Sequence, residues 1–265
     1  MLRLAANLST MFADAPLEAR FAHAAAAGFQ AVEMQFPYAI APLRLVELLS
    51  DNGLELVLFN APAGDIAAGE RGLVLEGGSR FDAAITTALD YMEATGCRLV
   101  HVMVGNGPAG HQADLVRAAA TIAGAAQRFA PFGAQLLLEA LNPKDQPDYC
   151  LPSLAAAETL RLLAGEPNIR LQFDAYHAAR SGGDPVALLA AHAGHTAHIQ
   201  LADAADRGEP DSPQMQAFLA AVEGMDWPGF VGCEYRPRGD TVSGLGWAIP
   251  HGLRVPGNAE KADRV

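Results

Sequence analysis

Short apolar runs alternate with amphipathic stretches along nearly the whole chain. Eight runs have the length and composition of strands: residues 2–6 (LRLAA), 31–35 (AVEMQ), 54–59 (LELVLF), 99–104 (LVHVMV), 135–139 (QLLLE), 169–174 (IRLQFD), 197–201 (AHIQL) and 229–234 (GFVGCE). Most are continuous rather than alternating, the pattern of strands covered on both faces. Between and after them lie stretches with helical periodicity at 16–27, 42–51, 80–95, 112–130, 153–164, 185–193, 213–224 and 240–249. Gly28, Gly53, Gly96, Gly133 and Gly165 each follow a helix candidate, where a left-handed residue commonly ends a helix. Eight strand–helix units in 265 residues predict an α/β fold, a single-domain (β/α)8 TIM barrel over residues 1–254 with a polar tail at 255–265. A doubly wound open sheet is the structural alternative. No GxGxxG follows the first strand, however, and no break in composition marks a second domain.

Four of the runs end in an oxygen-bearing side chain before a turn. Glu139 closes QLLLE, Asp174 closes IRLQFD, Gln200 sits in AHIQLAD and Glu234 closes FVGCE. One polar strand end arises easily by chance, but four in consecutive strand–helix units do not. Delivered to one rim, these groups make an all-oxygen cage suited to a hard divalent cation, Mg²⁺ or Mn²⁺.

Composition narrows the function classes. The net charge is −12, only Lys144 and Lys261 are lysines, and the arginines form no basic run. Such a surface repels phosphate backbones and disfavours nucleic-acid binding. Cys97, Cys150 and Cys233 show no CxxC spacing and read as buried thiols of a reducing compartment. The chain enters a strand almost at once, which predicts no signal peptide, and no apolar run approaches a membrane span. The expectation is a cytoplasmic protein with a small-molecule partner, with a homo-oligomer left open.

The fragments NLS near the start, NAPAGDIAAGERG, LLLEALNP, QFDAYH, HIQLAD followed by RGEP, and CEYRP together resemble the hydroxypyruvate isomerase family. That family includes the 2-oxo-tetronate isomerases and belongs to the xylose-isomerase-like barrels. The resemblance runs from about residue 2 to residue 247. It implies one divalent metal held by Glu139, Asp174, Gln200 and Glu234, and an acid/base role for Glu139 and Glu234. Two departures stand out: Ala140 where proline commonly follows the strand-five glutamate, and Pro147-Asp148-Tyr149 where a Pro-Gly pair usually precedes the aromatic residue. Neither touches the four ligands; both bear on substrate fit.

The chemistry implied is an aldose–ketose type isomerisation of a short hydroxy-oxo acid, hydroxypyruvate to tartronate semialdehyde, through an enediolate. A metal stabilises the oxyanion and a carboxylate moves the proton between adjacent carbons. Strands five and eight place Glu139 and Glu234 to flank a small substrate. His177, three residues after Asp174, is expected to bond a substrate oxygen. Two loops exceed the usual length, 60–79 and 202–212. The first carries Arg71, whose planar fork suits a carboxylate, with Glu70 beside it as its orienting partner. Arg236 is a second candidate reader. GDIAAGERG lacks the lysine and hydroxyl of a phosphate-binding loop, so its glycines fit a lid. His192, His195 and His198 read as structural, with His198 two residues before Gln200 and so a layer lower on the same face. Phe36 and Phe59 read as core, while Asp203 fits either a ligand's partner or a helix cap.

The rival readings are a 2-oxo-tetronate isomerase, which shares every motif above, and a ketose 3-epimerase. From other classes come an endonuclease-type phosphodiesterase, which needs a histidine-rich zinc site and a basic groove, and a non-catalytic sugar-acid binding protein.

Overall fold

The computed structural model describes residues 1–109 and 111–255. Eight strands close into a barrel in chain order: β1 (Arg3–Asn7), β2 (Ala31–Met34), β3 (Glu55–Asn60), β4 (Leu99–His101), β5 (Gln135–Glu139), β6 (Ile169–Asp174), β7 (Thr196–Leu201) and β8 (Phe230–Cys233). Every neighbouring pair is parallel, including the closing pair of β1 and β8. Around them run α1 (Ala19–Ala26), α2 (Pro42–Asp51), α3 (Gly78–Thr95), α4 (Gln112–Phe129), α5 (Leu154–Ala164), α6 (Ala175–Arg180), α7 (Pro185–His192) and α8 (Pro213–Gly224). The barrel and its single domain are as the hydrophobic pattern predicts. The helices bury their apolar faces on the strands, for example Leu115, Ala118, Ile122 and Phe129 of α4. Gly96 and Gly165 end α3 and α5 in the left-handed conformation. Of the tail assigned to 255–265, only Val255 lies within the described residues.

Three elements depart from the sequence pattern. The apolar run 99–104 pairs as a strand only through His101, because its second half meets the long third loop. Gly72 and Val104 form an antiparallel bridge, and the Leu75 N–H donates to the Val104 carbonyl at 3.0 Å. A Cβ at Gly72 would overlap the Met103 backbone, so the close approach requires glycine. After Asp174 the chain passes directly into the short helix α6, which the periodicity does not mark. At 240–249 only a 3-10 helix forms, Ser243–Ala248, in a segment interrupted by Gly244 and Gly246.

All three cysteines are free and buried, as expected. His192 ends α7 and His195 ends a 3-10 turn, which agrees with their structural reading. No helix among the described residues is long and apolar enough to cross a membrane.

Candidate active site

The strand ends converge on one rim. Glu139 and Asp174 are the last residues of β5 and β6, Gln200 is the penultimate residue of β7, and Glu234 follows β8. All four are buried. Register places Asp174 opposite Gln200 and Glu139 opposite Gln172. Asp174 caps α6: its Oδ1 accepts from the Tyr176 N–H at 2.8 Å. Its Oδ2 has no hydrogen-bond partner and lies 3.7 Å from His177 Nε2. Glu139 Oε1 is likewise buried without a partner, and Oε2 lies 3.5 Å from His101 Nδ1.

Glu139, Asp174 and His177 offer ligand atoms within 4.8 Å of one another. His177 Nδ1 accepts from the Asn142 backbone and side chain at 3.0 and 2.8 Å, which leaves the ring proton on Nε2 facing Asp174. Burial holds the His177 imidazole down to about 3, and that of His101 also to about 3. Both rings are neutral at physiological pH. The carboxylates shift the other way. Burial, then Asp174 and Glu234, push Glu139 well above the usual range. Burial carries Asp174 up to about 7 against the attraction of Arg207, and raises Glu234 despite the same guanidinium. Crowded buried carboxylates with orphaned oxygens are a donor set that suits a hard dication. Of the four ligands expected from the sequence, Glu139 and Asp174 carry these free oxygens, whereas Glu234 lies outside the Glu139–Asp174–His177 group and has both carboxylate oxygens hydrogen-bonded.

Glu234 is the most engaged of the four. Its Oε1 accepts from Gln35 Nε2 at 2.8 Å and Asn7 Nδ2 at 3.3 Å, and its Oε2 accepts from Arg207 at 2.7 Å. Gln200 donates to Glu33 at 2.7 Å and accepts from Gln172 at 2.5 Å.

A cavity of about 280 Å³ opens above this floor, with Glu139, Glu234, His177, Arg71, Arg207 and Arg236 in its wall. It adjoins a second cavity of about 700 Å³ that shares Gln35, Arg207 and Arg236. Of the substrate-binding candidates, His177, Arg71 and Arg236 therefore line the site. Arg71 is stapled across it by Gln146, which accepts from Nε at 3.0 Å. Glu70 does not line this cavity. Its carboxylate pairs with Arg80 at 2.8 Å and accepts from the Asp65 N–H, so only its backbone carbonyl meets Arg71. The physical reason is local: Arg80 on α3 offers Glu70 a salt bridge at the surface. Asp203 organises a turn, its backbone bonded to Gly208 and Arg207 and its Oδ1 accepting from the Ala205 N–H.

That turn presents a residue that the sequence pattern does not mark. Arg207 has a φ of 57°, lies over the Tyr176 ring at 4.7 Å, and sits 3.9 Å from Asp174 Oδ2. Its guanidinium is held charged by Glu234, Asp174 and Glu139 although burial opposes this. Glu33, Gln172 and His101 also join the site without having been singled out by sequence. Their signal is nonetheless present, as polar residues inside apolar strand runs.

The whole barrel matches known proteins. A family model described as xylose isomerase-like TIM barrel fits residues 21–251. A 2-oxo-tetronate isomerase of Pectobacterium atrosepticum is 40% identical over 94% of this chain and 98% of its own. The hydroxypyruvate isomerase of Escherichia coli is 35% identical over 95% of this chain and 100% of its own. A crystal structure described as AP endonuclease, family 2, from Brucella melitensis superposes with a TM-score of 0.90 at 38% identity, covering 95% of this chain and 99% of that one. With the rim residues in place on an eight-stranded barrel, the chain belongs to the hydroxypyruvate isomerase family of xylose isomerase-like TIM barrels and is an isomerase.

Proposed function

We propose that the chain is a divalent-metal-dependent isomerase that moves a carbonyl between adjacent carbons of a short hydroxy-oxo acid. The observation that carries this is the pair of buried glutamates, Glu139 and Glu234, in the wall of one small cavity that also holds three arginines. A proton leaves the hydroxyl-bearing carbon for one carboxylate, and the neighbouring carbon takes up a proton. The hydroxyl gives up its O–H proton as it becomes the carbonyl, and the former carbonyl oxygen takes up a proton as it becomes the hydroxyl. When bound, Mg²⁺ or Mn²⁺ supplies Lewis-acid stabilisation of the negative charge that builds on the substrate oxygens. Burial of both glutamates excludes bulk water from the proton in transit. His177 Nε2–H and the arginines supply donors for substrate oxygens, and a guanidinium grips the substrate carboxylate.

The four-carbon 2-oxo-tetronate is the first choice of substrate, and hydroxypyruvate the second. The higher identity to a 2-oxo-tetronate isomerase supports that order, and so does the larger neighbouring cavity that shares Gln35, Arg207 and Arg236 with the first. A ketose 3-epimerase fits less well, since a neutral sugar leaves the arginines without a carboxylate. The endonuclease reading has two observations against it. The net charge of −12 repels DNA, and among the described residues the one acidic/histidine metal group contains a single histidine.

Initial rates on 2-oxo-tetronate, hydroxypyruvate and a neutral ketose, each with Mg²⁺ or Mn²⁺, test the proposal. The expected ranking of kcat/KM follows that order. A neutral ketose turned over faster than both acids would reject the acid substrate.

A further inference from the structure

Below the rim lies a buried carboxylate that the proposed reaction does not use. Glu33 sits in the middle of β2, fully buried, and its side chain points into the barrel. Its Oε1 accepts from Gln200 Nε2 at 2.7 Å and from Asn7 Nδ2 at 2.9 Å, and its Oε2 meets His198 Nε2 at 2.7 Å. On the far side Gly232 of β8 leaves the room: a Cβ there would overlap the Glu33 carboxylate. The barrel thus builds a seat for one carboxylate, with amide and imidazole nitrogens around it.

We propose that Glu33 is a positioning residue that dictates which atom of Gln200 faces the metal position and that steadies Glu234 through Asn7. The inference rests on the reading of Gln200 and Glu234 as metal ligands. Its logic is donor–acceptor arithmetic. A side-chain amide has a donor end and an acceptor end, whereas a carboxylate only accepts. Glu33 therefore takes the NH₂ end of Gln200, and the carbonyl oxygen points the other way, where it also accepts from Gln172 Nε2 at 2.5 Å. Turned over, Gln200 would present NH₂ to the cation and oxygen to a carboxylate, which is repulsive on both sides. Asn7 is fixed by the same rule. Its Oδ1 accepts from the Ser9 N–H at 3.0 Å, so its Nδ2 is left to bridge Glu33 and Glu234 Oε1. One buried carboxylate thereby orients an amide on β7 and an amide on β1.

Partners that orient metal ligands in this way are worth roughly 10–100-fold in metal affinity or activity. E33Q keeps the shape but removes the charge that holds the NH₂ ends of Gln200 and Asn7 on Oε1, and its own NH₂ falls either on those amides or on His198 Nε2 in place of Oε2. The swap E33Q/Q200E keeps one carboxylate and one amide with their positions exchanged, so the buried charge is unchanged. Q200E alone places two carboxylates face to face. Mn²⁺ dissociation constants of the metal-free full-length proteins, read from the free-ion signal by electron paramagnetic resonance, test the inference, with thermal midpoints run in parallel.

The expected result is Mn²⁺ binding weakened about 10–100-fold in E33Q. The swap should recover at least part of that loss and bind more tightly than Q200E. If wild-type protein binds Mn²⁺ and E33Q binds it equally well, the positioning role is overturned while the metal reading stands. A swap no tighter than E33Q overturns it as well. Should E33Q alone fold poorly, the comparison of the swap with Q200E decides, and a swap that binds no tighter than Q200E overturns the role. If wild-type protein binds no Mn²⁺, the metal reading fails and takes this inference with it.

Discussion

Arg207 donates to Glu234 Oε2 at 2.7 Å and lies 3.9 Å from Asp174 Oδ2, so a single guanidinium stands among the carboxylates of the proposed metal site. Its side chain is 21% exposed, and Tyr176 stacks beneath it. Arg71, by contrast, reaches the same cavity from the long third loop and spends its Nε on Gln146. The two arginines approach the substrate from different sides with different partners.

Arg207→Ala is expected to lower kcat/KM for a 2-oxo acid more than Arg71→Ala does. A charge-assisted contact to a carboxylate is worth about 1.5–3 kcal/mol, or roughly 10- to 150-fold. Loss of Arg207 also leaves Glu234 without its cationic partner. Arg71→Ala should act on the acid and spare a neutral ketose, and Arg71→Lys should recover only part of the loss because an ammonium lacks the planar fork. Steady-state kinetics on both substrate types distinguish these outcomes. Equal losses on acid and ketose would make Arg71 an organiser of the lid rather than a reader of charge.

Glu139→Gln and Glu234→Gln each keep an oxygen donor and remove the proton-accepting carboxylate. Each should reduce kcat by about 10²-fold or more, the usual worth of positioned proton transfer. Mn²⁺ binding measured on the same variants separates lost chemistry from lost metal. A variant that turns over near the wild-type rate would show that its residue moves no proton.

The metal-free protein should lose stability as pH rises from about 6.5 to about 8. Asp174 is pushed up to about 7 and Glu139 further, so in this window the folded state binds more protons than the unfolded chain. Stability is present below the unfolded carboxylate pKa and fades as pH climbs through the folded one. Below about pH 6.5 the trend is opposed, since His101 and His177 are held neutral in the fold with values of about 3. Mg²⁺ or Mn²⁺ should flatten the alkaline decline and raise the midpoint, because a ligand of the folded state alone stabilises it by mass action. Thermal melts at about pH 6.5, 7.2 and 8.0, with chelator and with added metal, give the comparison. A metal-free midpoint that rises across this range would contradict the carboxylate cluster.

The architecture and the four rim residues are legible in the amino-acid order because both depend on local information. An apolar run followed by a turn marks a strand end, and Glu139, Asp174, Gln200 and Glu234 each stand at such an end. Parallel strands in strand–helix units send all those ends to one rim, so the set of strand termini is already a set of candidates. The two-residue period of a strand likewise sets His198 a layer below Gln200, where the barrel places it against Glu33.

What surrounds those four residues depends on contacts between segments far apart in the chain, which no local pattern encodes. Closure of β1 on β8 sets Asn7 beside Glu234, 227 positions away, and brings Glu33 of β2 across to Gln200 of β7, 167 positions away. Glu33 in AVEMQ is visible as a carboxylate in an otherwise apolar run, yet its partners exist only once the barrel is shut and Gly232 leaves room for it. In sequence, Arg207 is one more charge in a polar loop. The Asp203–Gly208 turn and a positive φ aim it inward, where the electrostatic demand of three crowded carboxylates holds it. Glu70 goes the opposite way, drawn off by Arg80 on α3. Hydrophobic periodicity thus specifies the scaffold and its chemistry-bearing edge, while long-range packing and charge compensation choose the partners of each group on that edge.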